Sequence, residues 1–183
     1  MRVISGQAKG HSIKVPKGRA LRPTSGRVKE ALFNILPHDL SGSKVLDLFA
    51  GTGNLSAEAL SRGAREAVLV DSSRKAERTI RANLEALGLS DRAKLWVAPA
   101  PRAIRRLSNR RETFDIILLD PPYERDWVGK TLRAIAQERI LAESGTVVAE
   151  HSVREKVEEN YGALALRDQR RYGTTVLSFF GYR

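Results

Sequence analysis

The most chemically distinctive feature of the sequence is a strand-like run that ends in one carboxylate, two prolines and a tyrosine. The run reads FDIILLDPPY and closes with Asp120, Pro121, Pro122 and Tyr123. Pro121 restricts Asp120 to an extended backbone, and each proline fixes its own φ and donates no N–H. The segment therefore presents a carboxylate and rigidly held carbonyl oxygens beside an aromatic ring.

This set of groups suits a planar partner that carries an amine. The ring of Tyr123 can stack on a nucleobase while the oxygens accept hydrogen bonds from an exocyclic amine. Acceptors aimed at the amine hydrogens favour a pyramidal nitrogen whose lone pair is free to attack, which stabilises the transition state more than the flat ground state. We therefore interpret Asp120, Pro121, Pro122 and Tyr123 as catalytic residues. A turn that only ends a strand is the alternative for Asp-Pro-Pro taken alone.

A second candidate loop follows an earlier strand, in the segment DLFAGTGNLSAEAL. Gly51 and Gly53 allow a sharp turn and a close approach to a ligand, and the following helix offers free N–H groups. The dinucleotide fingerprint would need a third glycine at the position of Ser56. Asp71 ends the next strand, where a carboxylate can accept both hydroxyl hydrogens of a ribose. The sequence predicts a pocket for a ribose-bearing ligand and leaves open whether that ligand carries a pyrophosphate.

Alternating strands and helices would bring both loops to one edge of a sheet. Apolar runs predict strands at 44–50, 66–71, 93–98, 114–120 and 145–151, and the C-terminal end reads as an antiparallel pair. Continuous apolar strands between helices are typical of a parallel sheet covered on both faces. We expect an α/β, doubly wound, seven-stranded, mostly parallel sheet with an antiparallel C-terminal strand. Residues 154–162 are predicted to be helical.

The N-terminal segment is strongly basic and rich in turn residues. Residues 1–29 contain eight Lys or Arg and no acid, and the whole chain has a formal net charge of +11. We expect a short β-hairpin arm over 1–23 and one further domain over 24–183. The charge favours a phosphate-backbone partner, with a solvated basic surface as the alternative. The candidate RNA-contacting cations are Arg2, Lys9, Lys14, Lys17, Arg19, Arg102, Arg105 and Arg106.

The composition also argues against disulfides, metal sites and membrane spans. The chain has no cysteine, so it has no disulfide and no cysteine-rich zinc site. Its three histidines lie far apart without ligand-like spacing, and we predict no metal site. No apolar run is long enough to span a membrane, and the first residues lack the apolar region of a signal peptide, so the expected location is the cytoplasm.

Five ordered segments of the sequence resemble one known family. They read RVISGQAKG, LRPTSGRVKEALFNIL, VLDLFAGTGNLSAEALSRGA, LLDPPY and YGTTVLSFF. The chain resembles the RsmD family, bacterial class I S-adenosylmethionine-dependent methyltransferases that modify N2 of a guanine in 16S (small-subunit) ribosomal RNA. The resemblance covers almost the whole chain. It implies a Rossmann-like methyltransferase fold, S-adenosyl-L-methionine as cofactor, rRNA or the assembling small subunit as partner, and a monomer.

The resemblance also implies roles for matching residues. Asp47, Gly51 and Gly53 would frame the methionine part of the cofactor, and Asp71 would hold its ribose where the family more often has Glu. Asp120, Pro121 and Tyr123 would hold a flipped guanine. The full set of implied cofactor contacts is Arg22, Thr24, Arg27, Phe33, Asp47, Phe49, Gly51, Gly53, Asp71 and Ala98.

The chain departs from the family pattern in two places, one stretch of three residues and one single residue. Ala98, Pro99 and Ala100 stand where the family usually has an acid near the adenine amine, so adenine recognition here would rest on backbone groups and apolar packing. Gly26 stands where Asp is common, which argues against a side-chain role at that position.

Three other functions fit parts of the pattern. A DNA adenine-N6 methyltransferase would share the Asp-Pro-Pro-Tyr motif, although no extra domain for reading a DNA sequence is evident. A nicotinamide-dependent oxidoreductase would use a similar sheet, but Ser56 argues against it. A non-catalytic RNA-binding or ribosome-assembly module would need the basic segments without the catalytic loop.

Overall fold

Alternating strands and helices dominate the computed structural model, which describes residues 1–16, 26–122 and 126–183. The helices are α1 (Gly26–Ile35), α2 (Asn54–Ser61), α3 (Arg74–Ala86), α4 (Ala100–Asn109) and α5 (Trp127–Glu138). The strands are β1 (Lys44–Asp47), β2 (Glu66–Asp71), β3 (Ala93–Val97), β4 (Phe114–Leu119), β5 (Leu141–Ser152), β6 (Asn160–Tyr161), β7 (Leu164–Tyr172) and β8 (Thr175–Tyr182). None of the described helices is long and apolar enough to cross a membrane.

All eight described strands form one sheet in the order β3-β2-β1-β4-β5-β8-β7-β6. The five strands from β3 to β5 are parallel, whereas β8 is antiparallel to both β5 and β7. β2 and β3 lie on one side of β1, and β4 and β5 lie on the other side, so the direction in which strands are added reverses at β1. This reversal opens a crevice beyond the carboxyl ends of β1 and β4, where open α/β sheets bind their ligands. We call this edge of the sheet the rim.

Helices cover both faces of the sheet, as the continuous apolar strands predict. Side chains alternate along each strand, so Val45, Leu118 and Val148 contribute to one core, and Leu46 and Val147 contribute to the other. The first core contains α1, α2 and α3 residues, and the second contains α4 and α5 residues. We call the corresponding sides of the sheet the first face and the second face.

The described N-terminal residues, 1–16, pack on the first face. An antiparallel bridge joins Arg2 to Ser12, which agrees with the predicted hairpin. Val3, Ala8 and Ile13 are almost fully buried and belong to the first core, so this part of the chain does not project as an arm. The division of the chain after residue 23 stays a prediction, because 17–25 lie outside the described residues.

The predicted helix over 154–162 is wrong, and the sheet has one strand more than predicted. Asn160 and Tyr161 form the short strand β6, and Gly162, with φ of +60°, turns the chain into β7. The segment has too few apolar side chains for a helical stripe. Its anchor is Tyr161, which is buried edge-on against the ring of Phe180, with the ring centroids 5.8 Å apart.

Candidate active site

The glycine loop lies on the rim, and its backbone conformation favours glycine at two positions. Gly51 and Gly53 have φ of +57° and +78°, the left-handed region in which side chains are strained. A Cβ on Gly53 would lie in ordinary van der Waals contact with side-chain carbons of Ile80 and Leu69, at 3.4 and 3.5 Å, so the backbone conformation and not a collision favours glycine here. The loop can therefore lie close against α3 and begin α2 directly beneath the rim.

Asp71 fastens this loop to the end of β2. Its Oδ2 accepts the backbone N–H of Gly51 at 2.9 Å, and its Oδ1 accepts that of Ser73 at 2.8 Å. A carboxylate has about four acceptor sites, so two hydrogen bonds leave capacity for two hydroxyl groups. The half-buried carboxylate is thus already oriented on the rim, as a ribose ligand requires.

Asp47 lies almost fully buried at the end of β1, with 1% of its surface exposed. The hydroxyl of Ser56 donates to its Oδ2 at 2.7 Å, but its Oδ1 is buried without a hydrogen-bond partner among the described residues. Burial, opposed by the Ser56 hydrogen bond, raises the pKa of Asp47 to about 6. An unsatisfied buried acceptor below a glycine loop is a feature that a bound ligand can complete. Ser56, noticed in the sequence only as a missing glycine, therefore orients this acid.

The Asp-Pro-Pro segment leaves β4 on the strand next to β1. Leu118 is in register with Asp47, so Asp120 lies two residues farther out, beyond the end of the ladder. Asp120 is half-buried, Pro121 is buried and Pro122 is exposed. The structure brings the predicted catalytic acid to the same rim as the glycine loop. The predicted stacking residue, Tyr123, lies outside the described residues.

An aromatic contact joins the two loops. The ring of Phe49, which precedes the glycines, packs against Trp127 at the start of α5, with centroids 6.2 Å apart and planes inclined by 60°. The sequence analysis missed Trp127, although its place seven residues after Asp120 could have indicated it. This pair connects the glycine loop to the helix that follows the Asp-Pro-Pro segment.

The remaining predicted cofactor contacts are spread more widely. Ala98 follows β3 on the rim, and its N–H donates to the Asp71 carbonyl at 3.0 Å. Arg27 is exposed at the start of α1, whereas Phe33 is fully buried with the guanidinium of Arg62 5.0 Å from its ring centroid. Direct cofactor contact by either side chain stays a prediction. Two further predicted contacts, Arg22 and Thr24, lie outside the described residues.

A buried ionic network, which the sequence analysis missed, joins α2 to α1. Lys29 Nζ lies 3.2 Å from Glu58 Oε2 and donates to Asn54 Oδ1 at 2.9 Å. Glu58 also accepts the Arg62 Nε–H at 3.0 Å and the backbone N–H groups of Ile4 and Ser5. Burial lowers the pKa of Lys29, and the charge of Glu58 opposes this shift. The network ties α1 and the N-terminal residues to the helix that begins in the glycine loop.

The predicted RNA-contacting cations occupy both faces of the sheet. Arg2, Lys9 and Lys14 are exposed on the N-terminal residues of the first face, and Lys17 and Arg19 lie outside the described residues. Arg102, Arg105 and Arg106 are exposed on α4, which covers the second face and begins near the end of β3. Arg106 and Arg110 also lie over the ring of Trp96, at 4.8 and 5.3 Å from its centroid.

The fold and the rim together define a class I methyltransferase architecture: a mostly parallel sheet, a glycine loop after its first strand, an acid after its second and Asp-Pro-Pro after its fourth. The family model described as Conserved hypothetical protein 95 matches residues 1–181. The chain belongs to this family, the RsmD family.

Individual relatives agree with this assignment. YlbH of Bacillus subtilis (strain 168), named as a candidate rRNA methyltransferase, is 39% identical over 183 residues, which are 100% of both chains. Ribosomal RNA small subunit methyltransferase D of Escherichia coli (strain K12) is 32% identical, covering 84% of this chain and 75% of the relative. A solved structure of the candidate methyltransferase YhhF from Escherichia coli superposes with a TM-score of 0.85 at 28% identity, covering 100% of this chain and 98% of that chain.

Proposed function

We propose that this protein transfers a methyl group from S-adenosylmethionine to the exocyclic N2 of a guanine in 16S (small-subunit) rRNA. The observation that supports the proposal most directly is that the cofactor-side residues and the substrate-side residues lie on the same rim. Asp47, the glycine loop and Asp71 line one side of the crevice, and Asp120 leaves the neighbouring strand on the other. A ribose-bearing methyl donor and a flipped base can meet between them.

The residues on the rim fit the proposed cofactor. Asp71 has acceptor capacity for the ribose hydroxyls, and the unsatisfied Oδ1 of Asp47 suits the ammonium of a methionine moiety. Ala98 leaves the adenine side without a carboxylate, so recognition there falls to backbone and apolar groups. The cofactor would supply an electrophilic methyl group on a positively charged sulfur.

On the substrate side, Asp120 and the adjoining carbonyl oxygens accept hydrogen bonds from the N2 hydrogens. This arrangement would hold the nitrogen lone pair toward the methyl group that a bound cofactor would supply, with the thioether form of the cofactor as the leaving group. The carboxylate of Asp120 would take the proton that the methylated nitrogen releases. Alignment of the amine with the methyl group accounts for much of the acceleration, so Asp120 need not be a strong base.

The names of the relatives support an rRNA substrate, since the Escherichia coli relative is named as a small-subunit rRNA methyltransferase. The net charge of +11 and the exposed cations on both faces provide the means to bind phosphates. In rRNA, unpaired bases in loops cost little to extrude into a pocket. We propose that the protein acts as a monomer in the cytoplasm, on free rRNA or on the assembling small subunit.

The direct test offers labelled S-adenosylmethionine to naked rRNA, isolated small subunits and plasmid DNA. We expect label only in small-subunit rRNA, recovered as N2-methylguanosine after digestion and mass mapping. Small-subunit rRNA from cells lacking the gene should lack that modification and provides the matched substrate. Label confined to plasmid DNA, as N6-methyladenine, would replace the rRNA assignment with DNA methylation.

A further inference from the structure

The strand next to Asp120 carries a second buried carboxylate on the rim, and the proposed mechanism does not use it. Leu119 of β4 is in register with Ala149 of β5, the last such pair of this parallel ladder. Extending this register by one residue, beyond the end of β4, puts Asp120 next to Glu150, near the strand spacing of about 4.8 Å. Only 4% of the Glu150 surface is exposed.

Both carboxylates belong to the first face of the sheet. Leu118 and Val148 contribute to the first core, and side chains return to the same face every second residue. On the neighbouring strand of this face, the buried Oδ1 of Asp47 has no hydrogen-bond partner in the described parts of the chain. In the proposed function this oxygen takes the ammonium of the cofactor, so the methyl donor and both carboxylates would share one face of the rim.

We propose that Glu150 selects guanine by accepting the N1–H of the flipped base while Asp120 accepts the N2 hydrogens. This inference rests on the proposed function and adds to it the residue that reads the base. The N1–H and the N2 amine are adjacent donors on the Watson–Crick edge of guanine, the edge that enzymes read in a flipped base. Two acceptors on neighbouring strands match this pair of donors.

The same carboxylate excludes adenine. Adenine presents a lone pair at N1, which would face the negative charge of Glu150 without a hydrogen between them. A buried site that must leave its acceptor unpaired rejects the wrong partner strongly. A carboxylate has about four acceptor sites, so contacts of Glu150 within the protein leave capacity for the base.

The test uses small-subunit RNA in which the mapped target guanosine is replaced by 2-aminopurine ribonucleoside. This analogue keeps the amine at C2 but has a lone pair at N1, so it removes the hydrogen that Glu150 would accept. We expect the wild-type kcat/KM to favour guanosine on the order of 100-fold or more. Glu150→Gln can donate an N–H to the analogue, so the preference should fall on the order of 10-fold or more.

Glu143→Gln is the matched control, because Glu143 is an exposed acid near the other end of β5. It should keep the wild-type preference, and calorimetry should show near-normal S-adenosylmethionine binding by both variants. An unchanged preference in Glu150→Gln would overturn the role of Glu150 while leaving the methyltransferase proposal intact.

If Glu150→Gln does not fold, the comparison of guanosine and 2-aminopurine RNA with the wild-type enzyme still tests the inference. A wild-type enzyme that methylates 2-aminopurine within about threefold of guanosine does not read N1–H, and the inference fails. Absence of N2-methylguanosine in every RNA would instead contradict the proposed function itself.

Discussion

At the residue scale, the catalytic proposal depends on Asp120. Asp120→Ala removes an acceptor that strengthens as the amine becomes pyramidal, so we expect kcat to fall on the order of 100-fold or more. Cofactor affinity should stay near normal, because Asp71 and the glycine loop are untouched. Methyl transfer to rRNA and calorimetry with S-adenosylmethionine measure the two quantities. Asp115→Ala, an exposed acid at the start of β4, should retain activity. Undiminished methyl transfer by Asp120→Ala would contradict a catalytic role for Asp120, whereas no transfer by the wild-type protein would favour a non-catalytic RNA-binding module.

Asp47 makes a prediction about pH and stability. Burial raises its folded-state pKa from 3.8 to about 6, so the folded protein holds a proton there that the unfolded chain releases. The contribution of Asp47 to stability is therefore most favourable below pH 3.8, and it is lost as the pH rises toward 6. Asp47→Asn cannot ionise, and it should gain roughly 2 kcal/mol in unfolding free energy relative to wild type between pH 4 and 7. Denaturant titrations of the ligand-free proteins at both pH values provide the measurement, and a constant difference would contradict the shifted pKa.

At the scale of elements, the N-terminal residues depend on a close approach to α2. Gly6 has φ of +82°, and a Cβ there would lie 1.8 Å from the carbonyl oxygen of Ser61. Gly10 has a similar φ of +84°, with nothing within 4 Å of its Cβ position. Alanine substitutions at the two glycines therefore distinguish the cost of backbone strain from the cost of steric collision.

Gly10→Ala should cost about 1–2 kcal/mol of stability from the left-handed backbone alone. Gly6→Ala should cost about 1–3 kcal/mol more, because backbone atoms of α2 must move. Chemical denaturation measures the difference, and hydrogen exchange should show faster exchange in residues 1–14 of Gly6→Ala. Equal stability of the two variants would contradict the packing of this segment against Ser61.

At the scale of the whole molecule, the two sets of exposed cations lie on opposite faces of one sheet. An RNA that contacts both sets by way of the rim would pass the point at which the target base is proposed to enter. The turn that contains Lys9 packs at the C-terminal end of α2, about 12 Å from its start in the glycine loop. Arg102 lies in the first turn of α4, close to the end of β3. Cations near the rim should therefore contribute more to substrate binding than those at the hairpin turn.

We accordingly expect the double variant Arg102→Ala and Arg105→Ala to weaken RNA binding and to reduce the slope of log affinity against log salt by about 1–2. Lys9→Ala should change that slope less. Filter binding of small-subunit rRNA over a range of salt concentrations measures both effects. A larger loss in Lys9→Ala would indicate that the RNA follows the first face instead of crossing the rim.

Much of the fold could be predicted from periodicity, because a parallel strand covered on both faces must be apolar throughout. The central residues of β1, β2 and β4 meet this condition, and charged residues occur only at or next to the strand ends. The helix predicted over 154–162 failed, because its only strong anchor, Tyr161, packs on a strand nineteen residues later in the chain. A contact between residues so far apart in the chain produces no periodic pattern in the local sequence. Lys29 was missed for the same reason, since a lysine on a helix gives no sign that Glu58 and Asn54 will surround it.

The types of chemistry available could be read from residue types and spacing alone: two glycines after one strand, an acid after the next, and an acid fixed before two prolines. These depend on local backbone geometry, which neighbouring residues control. The tertiary fold establishes which groups share the rim and how each is held: Ser56 contacts Asp47, Gly51 contacts Asp71, Trp127 contacts Phe49, and the register of β4 and β5 brings Glu150 to the strand end next to Asp120. The order of strands in a sheet brings residues far apart in the chain to within a few ångströms, and no local spacing in the sequence encodes that order.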